Sequence, residues 1–165
     1  MSFPSISPRQ SFPALEKFDE WNEEKKGIHQ KNIEKLYISP RDVWYIKMGM
    51  NIGNEQNGKW EFRRPVLVIR RIGNMYFCIP LTTRWKDENF FYLPLETQFE
   101  WKKSWILVSQ WRVFDKKRFT ELLGVIQPQE FYAIKKSLRN IYFWREELLP
   151  SEEGILHRAS SSGHL

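Results

Sequence analysis

Six short β-rich runs, separated by turn-forming residues and followed by one amphipathic helical stretch, constrain this chain more than any other feature. The runs are residues 42–48, 65–69, 75–82, 90–95, 105–111 and 122–126. They are rich in Val, Ile, Tyr, Phe, Trp and Thr, which suit a pleated, half-buried surface. Residues 49–61 between the first two carry three glycines and three asparagines and read as a long loop. Gly73 and Asn74 sit at the tip of a turn. Pro128 opens a helix expected over residues 129–144. Phe131, Ile134, Leu138 and Ile141 form its apolar stripe, and Lys135, Lys136 and Arg139 its wet face. Short strands closed by one helix predict a mostly β (α+β) fold, a small curled antiparallel sheet or barrel.

Upstream, residues 11–26 also read as a helix. Ser11 can cap it, Pro13 fits the first turn, and Glu16, Asp19 and Glu20 load its first half with acid. Phe12, Leu15, Phe18 and Trp21 make one apolar stripe, and Gly27 is expected to interrupt it. That stripe must cover the domain, a second subunit or a partner, and its spacing leaves all three open. Three segments follow: 1–40, a flexible start plus this extra helix; 41–145, the barrel domain; and 146–165, an acidic, Ser-rich tail expected to be flexible. Residues 1–10 lack the apolar centre of a secretory signal, and no run approaches the roughly 18 apolar residues of a membrane helix. The expectation is a soluble cytoplasmic protein with no membrane partner.

Charge is unevenly spread. The whole chain carries +6, whereas residues 41–145 hold nineteen basic and ten acidic groups, a net of +9. A basic middle suits a polyanionic partner, although excess charge alone is equally a solvated surface. The aromatic share of 16% is high for so small a domain, so some rings are expected at a binding surface.

The available chemistry is narrow. His29, His157 and His164 all lie outside the expected barrel. No HExxH, Cys-x-x-Cys or clustered Asp/Glu/His pattern builds a metal site, and no glycine-rich phosphate loop calls for a nucleotide cofactor. The single cysteine, Cys78, sits in an apolar run and reads as a buried strand thiol. Arginine, hydroxyls and amides near strand ends remain. They suffice for cleaving RNA, which brings its own nucleophile, the 2′-hydroxyl. Such cleavage needs the phosphate held in line and its developing charge stabilised. Arginine does the second well, being planar, permanently charged and bidentate.

Several motifs then occur in order: Asp42-Val-Trp44, Gly53-Asn-Glu-Gln-Asn-Gly58, Arg63-Arg-Pro-Val-Leu-Val-Ile69, Pro80-Leu-Thr-Thr83, and Gln110-Trp-Arg112 with Asp115 and Arg118. Together they resemble the MazF/PemK family of toxin endoribonucleases over residues 41–143. The resemblance implies an SH3-like, PemK-like barrel with a C-terminal helix, usually a homodimer. It implies sequence-selective, metal-independent cleavage of single-stranded RNA without a cofactor, giving a 2′,3′-cyclic phosphate and a 5′-hydroxyl. It also implies a cognate antitoxin whose flexible segment occupies the RNA groove.

By position, the resemblance makes Arg64 and Thr82 the catalytic pair. Arg63 and Thr83 are RNA-binding candidates that strand alternation would point to the other face. Glu55 and Gln56 in the loop, and the aromatics Trp60 and Trp85, are further RNA-binding candidates. Gln110 and Arg112 either touch RNA or stabilise the barrel. Asp115 and Arg118 read as a turn and an ion pair. The sequence departs from one branch of the family: Ser109 stands where that branch has an acid, and Asn54 where it has a histidine. Lys59-Trp-Glu-Phe62 is inserted before the arginine pair. The competing readings are a non-catalytic binding module on the same barrel and, further off, a CcdB-like gyrase poison. The latter depends on a terminal Trp-Gly pair, where this chain ends Gly163-His-Leu165.

Overall fold

The computed structural model describes residues 15–33, 35–84, 91–100 and 102–143. The expected flexible start and acidic tail, the Ser11 cap, Trp85, His157 and His164 lie outside these. Dense contacts divide the chain into two compact units, Met1–Phe131 and Tyr132–Leu165. All strands belong to the first.

The strands are β1 (Asp42–Lys47), β2 (Arg63–Ile72), β3 (Met75–Thr82), β4 (Tyr92–Phe99), β5 (Lys102–Leu107), β6 (Arg112–Asp115) and β7 (Phe119–Val125), with helices α1 (Leu15–Gln30) and α2 (Pro128–Phe143). The sheet runs β4-β5-β3-β2-β1-β7, with β6 also on β3, and all pairs are antiparallel. This is the expected curled antiparallel half-barrel with a C-terminal helix and an N-terminal helix. The central strands are buried on both faces, which explains their continuous apolar runs. Val66 and Val68 join Trp44, Ile46, Cys78 and Phe119 in one cluster, while Val43, Leu67 and Ile79 are fully buried as well. The Cys78 thiol is buried, and burial pushes its ionisation up, so it is a packing group. An irregularity in β2 between Val68 and Arg70 bends that strand, and Arg70, Arg71 and Ile72 beyond it are exposed.

The run at residues 105–111, read as one strand, holds only the end of β5 before a turn breaks it, and β6, which starts beyond it at Arg112, was not expected. β5 pairs with the end of β3, Leu81 facing Ile106, and β6 pairs with its start, Met75 facing Asp115. The seven residues Met75–Leu81 of β3 are thus matched by the ten residues Ile106–Asp115 on the other side. The surplus three form a 3-10 turn, Val108–Gln110. Val108 is buried, so hydropathy shows no break there. The strands expected at 90–95 and 122–126 are β4 and β7, the first running on to Phe99 and the second starting at Phe119.

Helix α1 also departs from expectation. It passes through Gly27 to Gln30, because Gly27 lies on an open face where a weak helix former is tolerated. Leu15 is exposed, so the buried stripe is Trp21 and Ile28, with Phe18 half-buried. The stripe covers the domain itself. Trp21 meets Phe62 at 5.4 Å, Arg118 lies 5.5 Å over the Trp21 ring, and Lys47 pairs with Glu24 at 3.0 Å. The expected Asp115–Arg118 ion pair is absent from the described residues. Asp115 accepts from the Lys117 amide at 2.8 Å, and Arg118 donates to the Lys47 carbonyl at 2.8 Å. Along α2, Phe131, Ile134 and Leu138 are buried, as their spacing predicted, while Ile141, expected on the same stripe, is only half-buried. In its first turn Glu130 accepts from the Glu96 and Thr97 amides of β4. Among the described residues no helix is long and apolar enough to cross a membrane.

Candidate functional site

A cavity of about 300 Å³ opens where β2 begins and β3 ends. Arg64 and Thr82 both line it, each less than a tenth exposed. Val66 faces Pro80 in the β2–β3 register. Continuing that register by two residues puts Arg64 abreast of Thr82, where directly opposed side chains share a face. Arg64 is held from two sides: its Nε–H donates to the Asn57 carbonyl at 2.6 Å and its Nη1 to the Leu81 carbonyl at 3.1 Å. These bonds fix the guanidinium plane while using two of its five N–H donors. Thr82 Oγ1 accepts from the Arg84 amide at 3.1 Å. The hydroxyl is thereby oriented with its proton still to give.

Arg63 and Thr83 line the same cavity, against the expectation that alternation would turn them away. The cavity lies at the strand ends, so residues of either face reach it. Arg63 lies 5.2 Å over the Tyr45 ring and pairs with Glu61 and Glu121, each at 3.4 Å. Trp60 lines the cavity and is 78% exposed, free of the core. The remaining candidates form a separate group. Gln110 Oε1 accepts from the Gln56 amide at 3.2 Å, and Arg112 donates to Asn51 Oδ1 at 3.0 Å, with the Glu55 carboxylate 3.9 Å away. Gln110 and Arg112 therefore hold the 51–56 loop in place. That loop leads into Asn57, whose carbonyl anchors Arg64.

Sequence reading missed Tyr45, Lys59, Lys102 and Ser104, which also line the cavity. Tyr45 faces Pro65 across the β1–β2 pair, two residues from Arg63, so only the register reveals it. Lys59 had a visible signal, the insertion before the arginine pair. Among the described residues the lining is strongly cationic: Lys59, Arg63, Arg64 and Lys102 against Glu100 alone. Burial, then the neighbouring Arg84 charge, pushes Arg64 down to about 10. It stays charged at neutral pH. Partial burial, then Arg64, Arg84 and Lys102, push the Lys59 ammonium below its usual value. Burial and the Glu100 carboxylate hold the Tyr45 phenol up, and therefore neutral. Among the described residues no three His, Cys, Asp or Glu side chains gather where a metal ion could sit.

No curated protein matches the chain. Among solved structures, MazF from Deinococcus radiodurans superposes with a TM-score of 0.52 at 20% identity, over 66% of this chain and 97% of that one. A MazE-MazF structure from the same organism gives 0.49 at 17%, over 67% and 98%. An endoribonuclease in complex with its cognate antitoxin, from Mycobacterial species, gives 0.49 at 13%, over 63% and 93%. These likenesses are to the fold. At the level of sequence, a family model described as "PemK-like, MazF-like toxin of type II toxin-antitoxin system" matches residues 39–142. That span holds every strand, the whole cavity and the loop that anchors Arg64, and so the chain belongs to the PemK-like, MazF-like toxin family of type II toxin–antitoxin systems.

Proposed function

We propose that this toxin is an endoribonuclease that cuts single-stranded RNA, mRNA above all, without a metal ion. The observation that carries the reading is Arg64: a buried guanidinium clamped by two backbone carbonyls, beside the Thr82 hydroxyl, in a cationic cavity open to solvent. Among the described residues no acid is bonded to it, and burying an unpaired cation is costly, which marks Arg64 as a group kept for an anion. A phosphodiester supplies that anion.

In this mechanism the scissile phosphate enters the cavity and Arg64 takes its non-bridging oxygens, while Thr82 donates one more hydrogen bond. The RNA 2′-hydroxyl attacks phosphorus in line, charge accumulates on those oxygens, and Arg64 stabilises it where it develops. The products are a 2′,3′-cyclic phosphate and a 5′-hydroxyl. Trp60 stacks a base, worth roughly 1–3 kcal/mol, and Arg63 and Thr83 contact the flanking backbone. Glu55 and Gln56, held by Gln110 and Arg112, read bases beside the cut and give the selectivity. The toxin works in the cytoplasm as a homodimer. Its cognate antitoxin silences it by laying an anionic segment in the same cavity.

The test uses purified protein, a long single-stranded RNA and excess EDTA, with the ends mapped. Cuts at one short recurrent sequence are expected. RNA left intact would refute the reading.

A further inference from the structure

The inserted segment before the arginine pair does more than supply Trp60. Lys59 opens a 3-10 turn, Trp60–Phe62, in which Glu61 and Phe62 take left-handed backbone angles of φ 49° and 57°. Ordinary side chains adopt such angles only when their surroundings hold them. Here the Lys59 amide donates to the Arg63 carbonyl at 2.8 Å, and the Phe62 carbonyl accepts from Met48 and Gly49 at 2.9 and 3.1 Å. Trp21 of α1 packs on the Phe62 ring from behind. A strained, over-anchored turn therefore presents the Lys59 side chain to the cavity that Arg64 and Thr82 line.

Cleavage by the 2′-hydroxyl leaves one task that neither Arg64 nor Thr82 performs well. The departing 5′-oxygen is strongly basic and needs a proton, while Arg64 is committed to the Asn57 and Leu81 carbonyls and to the non-bridging oxygens whose charge it stabilises. Among the described residues no histidine lines the cavity, and the two positions where one branch of the family carries a histidine and an acid are Asn54 and Ser109 here. We infer that Lys59 is a further catalytic residue, the general acid that protonates the 5′-oxygen; this rests on the ribonuclease reading above. The 2′-oxygen–phosphorus bond forms as the phosphorus–5′-oxygen bond breaks. The 2′-hydroxyl proton passes to solvent water, the Lys59 ammonium gives its proton to the 5′-oxygen, and the neutral amine is reprotonated from water. Burial, then the charges of Arg64 on β2, Arg84 after β3 and Lys102 on β5, favour giving up that proton. Arg63 on β2 and Tyr45 on β1 share the cavity, where Glu100 is the one acid among the described lining residues. An acid nearer the working pH transfers its proton better.

The experiment compares wild type, Lys59→Ala and Lys59→Arg on two RNAs of the mapped target sequence. One is natural, and the other carries sulfur in place of the 5′-bridging oxygen, a leaving group that needs no proton. On natural RNA, Lys59→Ala is expected to lose about 10²-fold in kcat with KM little changed, and the part of the alkaline fall in the kcat–pH profile that Lys59 sets disappears, leaving only the decline through about pH 10 that belongs to Arg64. Lys59→Arg stays as slow as alanine. On the sulfur substrate both variants match wild type within a few-fold. An unaffected Lys59→Ala, recovery by arginine, or an equal loss on both substrates would overturn the assignment while leaving the ribonuclease standing. Failure of wild type to cut either RNA would instead remove the ribonuclease reading, and the role of Lys59 with it.

Discussion

Arg64→Ala is expected to lower kcat/KM for RNA cleavage by about 10³-fold, the loss typical of removing a preorganised group aimed at developing charge. The fall belongs mainly in kcat, because charge on the phosphate oxygens grows between the bound state and the transition state. Arg64→Lys is not expected to restore it, since a single ammonium cannot replace a plane held at both Nε and Nη1. Stability is expected to change little. Removing the side chain leaves the Asn57 and Leu81 carbonyls without these donors, a cost of about 1–3 kcal/mol, and relieves the burial of a charge. Below pH 9 Arg64 keeps its charge, its pKa being about 10, so its contribution to cleavage declines only as pH rises through that value. Steady-state kinetics beside a thermal melt separates loss of chemistry from loss of fold.

Gly49→Ala is expected to destabilise the protein by about 2–6 kcal/mol. Gly49 has φ +94°, a backbone state costing an L-residue about 1–3 kcal/mol. An added methyl would also run into the Trp21 indole, and overpacking of this kind costs about 1–3 kcal/mol more. The strain does not stay local. Trp21 backs Phe62, so moving the indole loosens the turn that carries Lys59 and Trp60, and cleavage is expected to fall with stability. Gly27→Ala in α1 is the control. No heavy atom lies within 4 Å of a methyl there and the backbone is helical, so that change is expected to stabilise by about 0.5–1 kcal/mol. Denaturant midpoints of the two variants would have to move in opposite directions. A shared direction would refute this description of how α1 is seated.

How much of this was legible in the chain depended on whether the signal was local. The limits of β3 could be read directly, because its apolar run starts after the Gly73-Asn74 turn and ends on threonines. Arg64 and Thr82 were likewise visible, as polar residues at the ends of apolar strands within a recognisable motif order. Tyr45 and Lys102 were not, since nothing near them in sequence marks a site; register and folding bring them to Arg63 and Arg64. The break at Val108–Gln110 was hidden because a buried valine continues the apolar pattern through a turn demanded by strand pairing. Gly27 misled for the converse reason, being a local breaker that packing elsewhere on α1 overrides. Lys59 was passed over because an inserted lysine ordinarily reads as a solvated loop residue.

The central claim is that the RNA supplies the nucleophile and the protein supplies charge and position. Its most direct test is a target RNA carrying one 2′-deoxynucleotide immediately 5′ of the mapped scissile phosphate. With wild-type protein in excess EDTA, cleavage at that linkage is expected to vanish while binding stays within a few-fold of the all-ribose RNA. Continued cutting at the deoxy position would mean that water or a protein group attacks the phosphorus, and would contradict the mechanism assigned to Arg64 and Thr82.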